Sequence, residues 1–210
     1  MQNYKKQFAE FLVKSDALQF GEFILKSGRV SPYFFNSSKF NTGPMIEQLG
    51  QFYASAIEHY APSCTVVFGP AYKGIPLCVA VATALSKNMN RNIGYFFNRK
   101  EIKTYGDQGT LVGQFPQSDD MLVMVDDVFT DGDTKKESID LVWNLCKIKF
   151  SCVIVALDRM ESNSRRGDAI AEFKLKTGVP VWSIINIREV CFYLKNRTVN
   201  GNVILSESIY

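Results

Sequence analysis

The sequence predicts an α/β protein with a central, mostly parallel sheet flanked by helices, and three observations carry that prediction. Met121–Val125 is an unbroken apolar run of a length suited to a strand buried on both faces. Asp126-Asp127 follows at its carboxyl end, then a short Thr/Gly/Asp loop, then helical spacing at Ile139, Val142, Trp143 and Cys146. Further strand–loop–helix units precede and follow this one, and such alternation implies parallel strands joined by right-handed crossovers. In these sheets ligands bind beyond the carboxyl ends of the strands. A loop that opens a helix there offers unpaired N–H groups and a positive dipole end to a phosphate. Neighbouring carboxylates can hold sugar hydroxyls or a hydrated Mg²⁺. An ordinary polar βα turn would look the same, so the residue types alone leave both readings open.

The elements follow in order. Tyr4, Phe8, Phe11 and Leu12 have the spacing of an N-terminal amphipathic helix. Leu18–Asn36 reads as short extended pieces broken by Gly21, Ser27-Gly28 and Pro32. Adjacent strand residues point to opposite faces, so Phe34 and Phe35 cannot both enter one core. Pro44–Tyr60 carries a helical stripe of Met45, Leu49, Phe52, Ala56 and Ile57. Thr65–Phe68 is a buried strand that leads into Gly69-Pro70-Ala71-Tyr72-Lys73-Gly74-Ile75-Pro76, a rigid ligand-loop candidate with Lys73 at its tip, and then a helix through Leu85. Ile93–Phe97 is a strand, and the Gly-rich, cationic stretch from Asn98 to Gly113 reads as a mobile lid over an anionic substrate. Ser151–Leu157 is a strand ending in Asp158-Arg159. After it come a polar helical stretch (Ser164–Lys176), a strand (Val181–Ile187) and a helix through Leu194.

Composition narrows the function classes. The 210 residues suffice for one domain with a real core, and 46% hydrophobic with 21% charged residues is ordinary for a globular chain. A net charge of +3 does not argue for nucleic acid. No apolar run reaches membrane-spanning length, and Met-Gln-Asn-Tyr-Lys-Lys lacks a signal-peptide core, so a cytoplasmic location is expected. The five cysteines form no Cys-x-x-Cys pair and read as reduced core thiols. His59 is the only histidine, which argues against a His-based metal site or triad.

Five stretches together carry a resemblance: Lys26-Ser-Gly-Arg-x-Ser-Pro-Tyr-Phe-Phe-Asn, Phe68-Gly-Pro-Ala-Tyr-Lys-Gly-Ile-Pro, Phe97-Asn-Arg-Lys-Glu, the loop through Gly113, and Val125-Asp-Asp-Val. With Leu157-Asp158-Arg159 they resemble the orotate phosphoribosyltransferases of the type I phosphoribosyltransferase group, over Tyr4 to about Leu194. The resemblance implies the type I fold with a small N-terminal hood. Its divisions would be a hood and base-binding segment (1–40), a core (41–195) with a mobile loop (99–113), and a tail (196–210). It implies transfer of the phosphoribosyl group of phosphoribosyl pyrophosphate (PRPP) to orotate, giving orotidine 5′-monophosphate and pyrophosphate. It also implies Mg²⁺ and a homodimer with shared active sites.

Carried over residue by residue, Lys26, Tyr72, Lys73, Arg99, Lys100 and Lys103 would contact PRPP. Asp126 and Asp127 would hold the ribose hydroxyls and, through PRPP or water, the metal. The loop Thr130, Asp131, Gly132, Asp133 and Thr134 would take the 5′-phosphate, and Val128 and Phe129 would be among the PRPP contacts. Phe34, Phe35, Thr130 and Arg159 would hold orotate. Lys103, Tyr105, Asp126 and Asp127 are the implied catalytic set. The chemistry suits these residue types, because leaving pyrophosphate needs collected cations and excluded water rather than a nucleophilic side chain.

Two positions depart from the family pattern. Tyr105 stands where the lid usually carries a histidine, and a phenol of ordinary pKa about 10 supplies no cation near neutral pH. The phosphate loop, usually of the type Thr-Ala-Gly-Thr-Ala, contains Asp131 and Asp133. Two like charges ~5 Å apart cost about 3 kcal/mol at an effective dielectric near 20. Either Lys135 and Lys136 offset this, or the carboxylates face solvent while the amides bind. The alternatives to the orotate reaction are a ligand-binding regulator of this fold without turnover, and the same transfer to another base.

Overall fold

The computed structural model describes residues 1–25, 28, 30–101, 109–160 and 168–205, with the side chain of 202 outside that set. Six helices and a six-stranded sheet make up most of them. The chain runs α1 (Asn3–Lys14), β1 (Leu18–Ile24), β2 (Val30–Phe35), a 3₁₀ turn (Ser37–Lys39), α2 (Gly43–Tyr60), β3 (Val66–Gly69), α3 (Gly74–Met89), β4 (Gly94–Asn98) and β5 (Leu111–Gly113). It continues with β6 (Leu122–Val128), α4 (Asp133–Cys146), β7 (Phe150–Asp158), α5 (Ala169–Thr177), β8 (Val181–Asn186), α6 (Ile187–Leu194), β9 (Thr198–Val199) and β10 (Asn202–Val203).

The strand order is β5-β4-β3-β6-β7-β8, all parallel except the edge strand β5. Successive strand residues point to opposite faces, and here both faces are covered. Val67, Val123, Val125, Cys152 and Ile154 therefore pack with α1, α2, α3 and α6. Val66, Phe68, Leu122, Met124, Val153 and Val155 pack on the other side with Val142 and Phe173 of α4 and α5. This double burial explains why the central strands read as continuous apolar runs.

From β3 the chain steps outward to β4 in one direction, and from β6 to β7 and β8 in the other. The order thus reverses between β3 and β6, the place where crevices open in such sheets. The loop after β3 and the loop after β6 stand side by side there.

Three differences from the sequence expectation lie in the segments carrying the candidate site residues. β6 extends to Val128, so Asp126 and Asp127 lie on the strand, with Asp126 still paired to Val155 of β7. The end of the expected lid, Leu111–Gly113, is a strand because it pairs antiparallel with Phe96–Asn98. α5 begins at Ala169, where the Asp168 carboxylate caps the amides of Ile170 and Ala171; residues 164–167 of the expected helix lie outside the described residues.

β1 and β2 form a separate antiparallel hairpin, while α1 packs into the main core through Phe8, Phe11 and Leu12. The Lys5 ammonium, 2.8 Å from Glu189, ties α1 to α6. Beyond α6, Val199 and Leu205 fold back into the same core.

Candidate active site

At the end of β3 the backbone turns in a space that only glycine leaves open. A Cβ on Gly69 would lie 2.0 Å from the Gly74 carbonyl oxygen, and one on Gly74 would meet the Gly69 carbonyl carbon at 2.6 Å. This close approach sets Tyr72 and Lys73 at the tip of the loop. The Ala71 N–H donates to Asn98 Oδ1 (2.9 Å), which ties the loop to the end of β4.

Lys73 reaches across to β6. Its Nζ lies 2.7 Å from Asp127 Oδ2 and 3.1 Å from Ser37 Oγ, and the Ser37 hydroxyl donates to the same carboxylate oxygen. Asp127 Oδ1 accepts the Val128 amide (2.9 Å). Burial works to raise the Asp127 carboxyl, but the hydrogen bonds from Lys73 and Ser37, with the Lys73 charge, outweigh it and hold it below the ordinary carboxylate range.

Asp126 is held separately. Its Oδ1 accepts the Asp127 amide (2.9 Å), its Oδ2 accepts Lys135 Nζ (2.6 Å), and its carbonyl accepts the buried Tyr53 hydroxyl (2.6 Å). Burial, reinforced by the Asp127 and Asp126 charges, pushes the Tyr53 phenol well above its ordinary range, so it stays a donor. A cavity of about 180 Å³ opens beside this pair, lined in part by Ser37, Tyr53, Lys73, Leu77, Asp127 and Ala156.

The loop after β6 turns at Gly132, whose φ of +85° and contacts exclude a side chain: a Cβ would meet the Phe173 and Phe129 rings at 2.7 and 2.8 Å. Phe129 is buried edge-on to Phe173. Thr130, Asp131, Asp133 and Thr134 are exposed around this turn at the start of α4. Asp131 Oδ1 accepts the Asp133 amide at 3.1 Å and faces the Thr130 hydroxyl at 3.4 Å. Neither lysine compensates this loop. Lys135 is committed to Asp126 and the Val128 carbonyl (2.8 Å), and Lys136 to Asp140 (2.6 Å). Of the two arrangements the sequence left open, the carboxylates facing solvent is observed, with one of them covering a loop amide.

The remaining expected residues are less tightly drawn together. Phe34 is 41% exposed and stacks on Phe23, whereas Phe35 packs toward Phe40 and the core. This is the division that strand geometry requires. Arg159 is half-buried, and its carbonyl accepts the Tyr33 hydroxyl (3.1 Å), joining the hairpin to the end of β7. Arg99 Nη1 donates to the Gly109 carbonyl (3.0 Å), which closes the stem of the basic loop. Lys100 Nζ stands 6.0 Å from the Tyr72 ring centre. Lys26, Lys103 and Tyr105 lie outside the described residues. A second cleft of about 510 Å³ opens by Thr130, Asp158, Trp182 and Asn186.

Sequence reasoning missed Ser37, Tyr53, Asn98 and the role of Lys135. Only Lys135 left a signal, a cation in the first helical turn, where the dipole disfavours it.

A scan against protein-family models finds no match. Comparison with curated proteins does find relatives. The orotate phosphoribosyltransferase of Ruthia magnifica is 45% identical over 195 residues, 93% of this chain and 91% of that protein. Those of Saccharophagus degradans and Clostridium acetobutylicum are 42% and 39% identical over 203 and 210 residues, each aligned over 94% of its length. The chain belongs to the orotate phosphoribosyltransferase family. Its architecture agrees with that membership. The crystal structure of the Francisella tularensis orotate phosphoribosyltransferase superposes with a TM-score of 0.80 at 34% identity, over 97% of this chain and 93% of that one. An adenine phosphoribosyltransferase from Trypanosoma brucei, 12% identical with a TM-score of 0.54, shares the fold alone. The type I fold expected from the motifs is the one this orotate phosphoribosyltransferase family member adopts.

Proposed function

We propose that this chain transfers the phosphoribosyl group of PRPP to orotate, forming orotidine 5′-monophosphate and pyrophosphate in pyrimidine synthesis. The observation that carries the reading is the Asp126–Asp127 pair at the reversal of strand order, each carboxylate held by its own ammonium, with the loop that opens α4 following it. Family membership supports the substrates.

In this reading Asp126 and Asp127 accept the ribose hydroxyls, and the amides from Thr130 to Thr134 take the 5′-phosphate. Lys73, Arg99 and Lys100, with Lys26 and Lys103, collect the charge that develops on departing pyrophosphate. Phe34, Thr130 and Arg159 position the base, Arg159 toward its carboxylate, while Phe35 packs toward Phe40 and the core. No side chain need act as nucleophile. Burial pushes the thiols of Cys64, Cys78 and Cys152 up to about 12, which suits them to packing rather than catalysis.

Mg²⁺ fits this site only indirectly. Among the described residues no group of three or more His, Cys, Asp or Glu is arranged to hold a metal, and both aspartates already face ammonium groups. An ion carried on PRPP oxygens and waters above Asp126 and Asp127 agrees with the habit of Mg²⁺ to keep its water. There it would neutralise pyrophosphate. A homodimer with shared sites and a cytoplasmic location belong to the same proposal. Among the described residues no helix is long and apolar enough to cross a membrane.

The deciding experiment follows the loss of orotate absorbance with PRPP, with and without Mg²⁺. Metal-dependent turnover is expected. The second reading, a ligand binder without turnover, is favoured by the Asp131 carboxylate on the Asp133 amide. PRPP binding by calorimetry with no turnover would establish it instead.

A further inference from the structure

Lys135 occupies a place that is hostile to an ammonium group. It lies in the first turn of α4, at the positive end of the helix dipole, and only 6% of its side chain is exposed. An ammonium has three protons to place. One faces Asp126 Oδ2 at 2.6 Å and another the Val128 carbonyl at 2.8 Å, and the Phe129 ring centre lies 5.5 Å away. Every one of these groups lies within the β6–α4 segment, so the contacts of this buried cation are local to it.

Lys73 holds Asp127 from a side chain that is 64% exposed, so solvent and an arriving anion can compete for it. Lys135 holds Asp126 from a side chain that is only 6% exposed. Asp126 also accepts the Asp127 amide on its other oxygen, so both oxygens of the carboxylate are fixed in direction. The same contact joins the end of β6 to the first turn of α4, across the loop from Phe129 to Gly132.

We propose that Lys135 is a positioning residue for Asp126: its buried ammonium fixes the carboxylate for the ribose hydroxyls and ties down both ends of the phosphate loop. The proposal rests on the PRPP-transfer reading, in which Asp126 and most of that loop face PRPP, while orotate lies toward the hairpin and meets the loop only at Thr130. Lys135 therefore acts chiefly on PRPP.

The experiment compares Lys135→Met, which keeps length without charge, and Lys135→Arg, which keeps charge, each also combined with Asp126→Asn. For Lys135→Met, KM for PRPP is expected to rise at least tenfold while KM for orotate stays within about twofold. Lys135→Arg is expected to recover most of that loss. In the Asp126→Asn background, Lys135→Met is expected to add little, because a residue acting through Asp126 has nothing left to position. A general structural role would lower Tm and active fraction and leave both KM values unchanged, and that result overturns the proposal, as does additivity of the two changes. If Lys135→Met does not fold, Lys135→Gln takes its place with the same criteria. If the unaltered chain shows no turnover, the transfer reading fails by itself. The same comparisons are then made on PRPP affinity by calorimetry, where a tenfold loss for Lys135→Met supports the positioning role and an unchanged affinity overturns it.

Discussion

Asp131 Oδ1 accepts a hydrogen bond from the Asp133 amide, 3.1 Å away, at the mouth of the loop that opens α4. The protein thus supplies its own anion to an N–H that a bound phosphate would use. If the loop takes a 5′-phosphate as proposed, this carboxylate would have to swing aside and would remain as a nearby like charge. Asp131→Ala is therefore expected to lower KM for PRPP about fivefold, the equivalent of roughly 1 kcal/mol in an exposed, screened loop. Steady-state kinetics with PRPP as the varied substrate checks this, and an unchanged or higher KM would show that the carboxylate does not compete.

The Lys73–Asp127 pair makes stability depend on acid. Asp127 titrates below its ordinary value of 3.8 in the folded protein, so it binds its proton more readily when unfolded. Its contribution is fully present above about pH 4 and is lost as pH falls through the depressed folded value. Urea unfolding between pH 3 and 6 should show a shallower loss of stability on acidification for Asp127→Asn than for the unaltered protein. Identical slopes would mean that other carboxylates dominate.

The Gly69–Gly74 approach leaves no room for even a methyl group. Gly74→Ala is expected to cost about 3 kcal/mol or more, because the atoms to be displaced are backbone. It should also displace Tyr72 and Lys73, which the same turn carries. Thermal unfolding and PRPP affinity are expected to fall together, and loss of one alone would separate the turn from the site.

Phe34 and Phe35 should part company on truncation. Phe35 packs toward Phe40 and the main core, so Phe35→Ala is expected to destabilise by about 2–4 kcal/mol. Phe34 is exposed on the hairpin beside Phe23, so Phe34→Ala should leave Tm nearly unchanged and raise KM for orotate. Denaturation curves and orotate kinetics on the two variants distinguish these outcomes. Equal effects would contradict the division of the two faces.

Apart from β5 and the C-terminal β9 and β10, the order of strands and helices was legible in the sequence alone, as were the burial of the central strands and the placing of Asp126-Asp127 and Gly69–Lys73 at strand ends. Each is written in a contiguous stretch, through an apolar run, a turn residue or a helical period, so local chemistry suffices. Contacts across the chain were not legible. Ser37 meets Asp127 from 90 residues away, and the Tyr53 hydroxyl reaches the Asp126 carbonyl from 73 residues away. No periodicity announces such partners, because they exist only once α2 and the segment after the hairpin are docked on the sheet. The partner of Lys135 was hidden for a different reason. Lys135 and Asp126 are nine residues apart, but two ways of balancing an acidic loop were equally consistent with the residue types. Packing chose between them: burial of Lys135 against Phe129 turned its ammonium inward to Asp126 and left Asp131 to cap its own loop.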